Sequence, residues 1–239
     1  ANSAGLIDIT LQTTENGDIL LADAYTYNPA GSIGTDWSQW GEVTPLDTPI
    51  ISGGYAVLSN TLYCVGGIDA TFSEVTNAFA FDGSTWTPIS GLPVTLDSQA
   101  AAVLDGTLYS IGGYNGSESI SNVWSYNGTS WDTAPSLPVE LRYHAAATLN
   151  GAIYVFGGVQ GTTGSAASTN VLHFNGTTWE HAAWLEQEQN NSTAITYDNK
   201  IYLLGGSAVA PVTNCYRYDG VSTSLTPVAG PDTPFSLWV

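Results

Sequence analysis

The sequence predicts an all-β protein built from repeated four-stranded antiparallel units. Two periodic markers carry that prediction. Gly pairs stand at Gly66-Gly67, Gly112-Gly113, Gly157-Gly158 and Gly205-Gly206, in steps of 46, 45 and 48 residues. Trp40, Trp86, Trp131 and Trp179 keep the same steps. A third observation is the segment that recurs before each Trp: FDGSTW from Phe81, YNGTSW from Tyr126, FNGTTW from Phe174 and a decayed YDGVSTSL from Tyr218. A period near 46 residues is that of arrays whose units cannot bury an apolar face alone and must stack.

Each unit reads as a meander. Its first strand is rich in small residues, as in AAAVL from Ala100 and AAATL from Ala145, and an Asp-Gly or Asn-Gly turn leads into an apolar second strand, TLYSI or AIYVF. The Gly pair follows, where backbone angles and close approaches exclude a Cβ. A polar loop then leads to a third strand ending in Tyr or Phe, and a second Asn-Gly or Asp-Gly turn, expected as type I′, leads to the Trp of the fourth. Small first strands suit crowding about a central axis, and aromatics suit the outer part of a wedge.

This pattern of Gly-Gly, then Tyr or Phe, then Trp resembles the kelch repeat over about residues 52 to 225. The resemblance implies a β-propeller, with blades packed face to face around a channel. Four units are clear. The ends are expected to supply a fifth blade from GLIDITLQ at Gly5, DILLADAYTYN at Asp18 and DWSQW at Asp36, with PFSLWV at Pro234 as its inner strand, which would remove exposed sheet edges. The expectation is one domain over residues 1–239, a five-bladed kelch-type propeller with blades at about 5–44 plus 232–239, 52–89, 98–134, 143–182 and 191–228. The first unit lacks the Gly pair, and Leu225 stands where a fifth Trp would fall.

Composition excludes several functions. Against 21 acidic residues stand Lys200, Arg142 and Arg217, a formal charge of −18, so the clustered cations that bind phosphate backbones or anionic membrane surfaces are missing. The acidity serves solubility in a salty or extracellular medium, or else a cationic partner. No apolar run reaches the length of a membrane span. Cys64 and Cys215 lie in strands without metal-ligand spacing and read as core residues. The sequence contains no Met; we take from this a processed or trimmed start, and expect a secreted, cell-surface or virion-surface protein.

The resemblance implies binding through the face made by two loop sets: those after the Gly pair, including Tyr114 to Ser121 and Val159 to Thr169, and those that lead into each first strand, including Leu92 to Gln99, Leu137 to His144 and Trp184 to Asn191. Twelve residues before the second-strand Tyr63, Tyr109, Tyr154 and Tyr202 stand Ile51, Asp97, Arg142 and Asn190, one ring position at the channel mouth. Arg142 occupies a place where many kelch repeats carry an inward Arg. It either binds a ligand or pairs with Asp97 or Glu140 to hold loops. Tyr143 adds a flat face, and His144 either donates to a ligand or packs its loop. Trp184 falls outside the Trp period and reads as a loop aromatic that stacks on a sugar ring or caps its own loop.

No nucleophile elbow, HExxH, Walker loop or Ca²⁺ loop occurs. Kelch relatives that are copper-radical oxidases need several Tyr and His ligands with a crosslinked Cys in a face loop, which Cys64 and Cys215 do not supply; relatives that are sialic acid mutarotases use Glu and Arg, of which Glu140 and Arg142 are the nearest echo. The Asn of the sequons at Asn115, Asn127, Asn175 and Asn191 is read as turn or loop chemistry. The expectation is a non-catalytic recognition module without cofactor or metal, carbohydrate-binding and lectin-like, using Asp97, Arg142, Tyr143, His144, Trp184 and Asn190. The alternatives are a propeller that binds a basic protein partner, and a sugar-active enzyme such as a mutarotase.

Overall fold

The computed structural model describes residues 5–13, 17–27, 43–161, 167–207 and 215–228. The chain divides into two units, Ala1–Val43 and Thr44–Val239. In the first, β1 (Gly5–Thr13) and β2 (Gly17–Tyr27) pair antiparallel from Gly5↔Tyr27 to Thr13↔Gly17, with an irregularity between Ile7 and Ile9. These are two of the three expected N-terminal strands. The third, DWSQW, and the C-terminal PFSLWV lie outside the described residues.

The second unit holds four sheets of four antiparallel strands, each in chain order. Blade one is β3 (Gly54–Leu58), β4 (Thr61–Val65), β5 (Ala78–Phe81) and β6 (Trp86–Pro88); blade two is β7 (Ala100–Leu104), β8 (Thr107–Ile111), β9 (Val123–Tyr126) and β10 (Trp131–Ala134). Blade three is β11 (Ala145–Leu149), β12 (Ala152–Phe156), β13 (Asn170–Phe174) and β14 (Trp179–Trp184); blade four is β15 (Thr193–Tyr197), β16 (Lys200–Leu204), β17 (Cys215–Tyr218) and β18 (Thr226–Pro227). The all-β propeller is as expected, but among the described residues the structure shows four blades where the sequence led us to expect five: β1 and β2 pair as a two-stranded sheet there.

The two turns of each blade differ, which corrects the expectation of type I′ in the outer one. The inner hairpins do have positive φ at both central residues, as at Asp105-Gly106 (48° and 76°) and Asn150-Gly151 (51° and 74°). In the outer hairpins only the Gly does, Gly128 at 94° for example. There Tyr126 pairs with Trp131 across four residues, and the Asn127 Oδ1 accepts from the Thr129 and Ser130 amides. Asp82 and Asp219 make the same turn, whose amides hold both carboxyls below the usual Asp range. The side-chain acceptor, common to Asn and Asp, is what this turn requires.

The Trp period has a physical cause in both directions from the indole. Within its hairpin each Trp lies opposite the preceding aromatic, with centroids 4.8 Å apart for Phe81–Trp86, 5.1 Å for Tyr126–Trp131 and 4.7 Å for Phe174–Trp179. Across the blade boundary the indole N–H donates to a carbonyl near the end of the previous unit: Trp86 to Thr44 (3.1 Å), Trp131 to Ser90 and Trp179 to Pro135 (both 2.8 Å). Blade spacing therefore fixes Trp spacing.

Three apolar cores lie between successive blades. Val65, Leu96, Trp124 and Trp131 join blades one and two; Leu104, Ile111, Val155 and Phe174 join two and three; Leu149, Phe156, Leu203 and Tyr218 join three and four. The inner strands stack in sequence, β3 on β7, β7 on β11 and β11 on β15. At the two ends of this stack an apolar face is bare: Tyr55 and Val57 on β3 are exposed, as are Ile195 and Tyr197 on β15, whereas the matching positions on β7 and β11 are half-buried or buried.

Candidate functional site

The chain enters each inner strand through one residue in the left-handed region: Ser52 (φ 56°), Ser98 (55°), Tyr143 (56°) and Asn191 (52°). These residues link the blades by backbone hydrogen bonds. The Ser98 amide donates to the Ser52 carbonyl (2.8 Å), Tyr143 to Ser98 (2.9 Å) and Asn191 to Tyr143 (2.9 Å). Around this chain of bonds lies a cavity of about 210 Å³, lined by Ser52, Ser98, Gln99, Tyr143, Asn191, Ser192 and others, with walls from all four blades.

The ring position read from the sequence is real. Ile51, Asp97, Arg142 and Asn190 each make an antiparallel bridge to the residue after a Gly pair: Ile68, Tyr114, Val159 and Ser207. The Gly pairs are required here, because a Cβ on Gly158 would stand 2.9 Å from the Arg142 carbonyl oxygen and 2.8 Å from the His144 Cβ. The side chains on this ring differ sharply. Ile51 is exposed, Asp97 is 3% exposed, and Arg142 and Asn190 are half-buried.

Arg142 is held by aromatics, not by a carboxylate. Its guanidinium carbon lies 4.8 Å from the Tyr114 ring centroid and 5.6 Å from that of Tyr143. Its Nε is buried without a hydrogen-bond partner. Among the described residues the ion pair present joins Lys200 to Asp198, and none involves Arg142. The strut reading, in which Arg142 pairs with Asp97 or Glu140, is therefore not what the structure shows. The Asp97 carboxylate accepts from Ser98 Oγ. Burial pushes the Asp97 carboxyl above the usual range and Glu74 adds to that, while the Ser98 bond and the Arg142 charge pull the other way. Glu140 lines a separate cavity of about 360 Å³ with Glu118, Ser121 and Asn122.

His144 and Trp184 lie in different surroundings. His144 lines the axial cavity yet is only 6% exposed; it packs against Gly112 and Gly158, and both ring nitrogens are buried. Burial lowers its pKa to about 4, with the Ile111 backbone opposing that shift. Its counterpart in blade two, Gln99, donates to the Val65 carbonyl at 2.6 Å. Trp184 is not in a face loop but ends β14, the outermost strand of blade three, where it is 55% exposed and lies 4.0 Å from the His181 ring. Its amide donates to Thr223 of blade four. Three strand spacings of about 4.8 Å separate β14 from the inner strand, which keeps Trp184 away from Arg142.

Tyr143 (39% exposed) and Asn190, whose Oδ1 accepts from the Asn191 side-chain Nδ2 at 2.6 Å, do lie with Arg142 around the axis. Sequence reasoning missed Tyr114, Gln99 and the Ser52, Ser98 and Asn191 series. Tyr114 was within reach, since it directly follows Gly112-Gly113 and so must bridge the neighbouring ring position.

Among the described residues no group of three or more His, Cys, Asp or Glu is placed to hold a metal. Cys64 and Cys215 are free, and burial raises both thiols. No described helix is long and apolar enough to cross a membrane.

Residues 98–138 match the model of the Kelch motif. The structure is similar to that of YjhT, with a TM-score of 0.70 and 19% identity over 82% of this chain and 70% of that one. At that identity the likeness concerns the fold. No curated protein matches the chain in sequence.

Proposed function

We propose that this chain, an all-β propeller whose residues 98–138 match the Kelch motif, is a recognition module that binds a small polar ligand, a carbohydrate, at the axial cavity without catalysing a reaction. The observation that carries this reading is Arg142, a cation without a carboxylate ion pair among the described residues, whose guanidinium lies over the rings of Tyr114 and of Tyr143, the latter a residue that lines the cavity. Asp97 and Asn190 supply acceptors on the same ring. A glycan array on the purified chain, followed by titration of the hits against Arg142→Ala, tests this: loss of binding without loss of fold supports it, and unchanged affinity sinks it.

A charge of −18 favours a second reading, a basic protein partner on the acidic surface. Salt separates the two, because a charge-driven contact weakens steeply between low and physiological ionic strength while ring stacking does not. Secretion or surface display belongs to the same proposal and rests on the acidic, lysine-poor composition. So does a fifth blade from residues 5–44 and 232–239, supported by the bare faces of β3 and β15.

A further inference from the structure

The loop after the Gly pair of blade one presents an apolar ring that the fold itself does not use. Residues 69–73 form a three-residue hairpin loop, in which the Phe72 amide donates to the Asp69 carbonyl and the Asp69 amide to the Ser73 carbonyl, both at 3.0 Å. Such a loop is a type I turn followed by one residue in the left-handed region, a place that Gly fills most readily. Here Phe72 fills it, at φ 61°, and a bulky ring in that region costs backbone energy. Packing does not offset the cost, because Phe72 is 82% exposed. Nor does the turn need the ring: the corresponding Asx turn of blade two is one residue shorter and puts its positive φ on Gly116.

The loop is nonetheless pinned. Asp69 Oδ1 accepts from the Thr71 amide (2.7 Å), the Thr71 hydroxyl (2.6 Å) and the Ser73 amide (3.3 Å). An exposed aromatic on a fixed backbone has little freedom to lose on association, which is the property of an interface anchor. A second exposed apolar residue stands on the same edge, since Val94 (39% exposed) lies two residues before Leu96, which bridges Val75.

Charge around the ring selects its partner. The loops 68–75 and 114–120 carry Asp69, Glu74 and Glu118 and no Lys or Arg, and the Glu74 carboxylate lies against Gly116, where the two loops meet. The Thr71 hydroxyl, with the Thr71 and Ser73 amides, holds the Asp69 carboxyl below the usual range, so it is ionised at neutral pH. A second copy of this chain, at −18, and an anionic lipid surface would both be repelled. A sugar would find the Thr71 and Ser73 donors already given to Asp69. A protein segment that alternates apolar and cationic side chains satisfies the ring and the carboxylates together.

Resting on the reading of a basic protein partner, we propose that the loop 69–74 is its docking point: Phe72 enters an apolar strip of the partner, and Asp69, Glu74 and Glu118 take the Lys or Arg beside that strip. The test uses two synthetic peptides of equal charge, three repeats of Lys-Leu-Leu-Lys and three of Lys-Ser-Ser-Lys. Each is titrated calorimetrically at low salt into the full chain, Phe72→Asn and Val221→Asn, and each protein is melted alone. Val221, 85% exposed in the outer hairpin of blade four, controls for the loss of an exposed apolar residue elsewhere. The Leu peptide should bind wild type at least about tenfold more tightly than the Ser peptide. Phe72→Asn should bring the two within about threefold of each other, and Val221→Asn should leave the difference intact. The melting midpoint of Phe72→Asn should equal or exceed that of wild type, because Asn tolerates this φ.

Equal binding of the two peptides by wild type overturns the Phe72 inference and leaves the basic-partner reading standing. A preference for the Leu peptide that survives Phe72→Asn, or is lost in Val221→Asn, places the contact elsewhere and overturns it too. A clear drop in the melting midpoint of Phe72→Asn shows that the ring serves the fold and removes its assigned role. Binding of neither peptide up to about 1 mM overturns both the inference and the reading it rests on.

Discussion

His144 makes the propeller acid-sensitive by an amount the structure lets us work out. The ring is sealed between Gly112 and Gly158, and its pKa is lowered from 6.5 to about 4, chiefly by burial. The folded state therefore resists a proton that the unfolded chain accepts. Stability is fully present above pH 6.5, falls as the pH drops through the window from 6.5 to about 4, and the contribution is gone below it. At about 1.4 kcal/mol per pH unit, the loss across that window is about 3 kcal/mol, or about 6–12 °C in the melting midpoint for a chain of this size. The perturbation is His144→Gln. Gln is the residue at this place in blade two, where Gln99 reaches the Val65 carbonyl, and it does not titrate. Urea unfolding of both proteins, followed by Trp fluorescence at several pH values from 7.5 to 4, gives the difference directly. Asp97 and the turn aspartates are common to both chains and cancel in the comparison. The two stability curves should meet at neutral pH within the cost of the swap and diverge by about 3 kcal/mol at pH 4. Parallel curves would mean that the imidazole is charged in the fold or reached by water, and the burial argument would fail.

Trp131→Ala should cost about 3–5 kcal/mol, because the indole is 8% exposed and donates to Ser90 at 2.8 Å; free quenching of Trp131 by iodide would contradict this. Gly157→Ala should abolish folding, since φ is 61° and the new Cβ would overlap the Gln189 carbonyl oxygen, while Gly83→Asn, with φ 96° and open space around it, should melt within a few degrees of wild type; a well-folded Gly157→Ala refutes the close-approach argument. Arg142→Ala should weaken ligand binding by about 2 kcal/mol with the melting curve nearly unchanged, and a collapse of the fold would make it a strut after all. Deleting Pro234–Val239 should remove cooperative unfolding if these residues complete a fifth blade; an unchanged midpoint sinks that closure.

Much of the architecture was legible because the repeat is dictated by local chemistry that each unit must satisfy alone. The Phe81–Trp86 and Phe174–Trp179 pairs and the Asx turns between them need the same residues at the same offsets in every blade, so the period, the four-stranded meander and the ring of Ile51, Asp97, Arg142 and Asn190 could be read from spacing. Register along a strand is fixed by such offsets, and the sequence alone determined it. Which residues meet across blades was decided only in three dimensions. Asp97 and Arg142 share a ring position, yet Asp97 turns to Ser98 while Tyr114 and Tyr143 occupy the space around the cation. His144 resembles a loop donor in the sequence, and only packing against two Gly pairs shows it to be sealed. Trp184 looked like a loop aromatic because one extra residue in β14, where the pairing with β13 shifts between Val171 and Leu172, carries the strand further than the period suggests. The physical reason is common to all three: periodicity records what each blade needs internally, while burial, charge pairing and exposure depend on the neighbouring blade, whose side chains lie about 45 residues away in sequence.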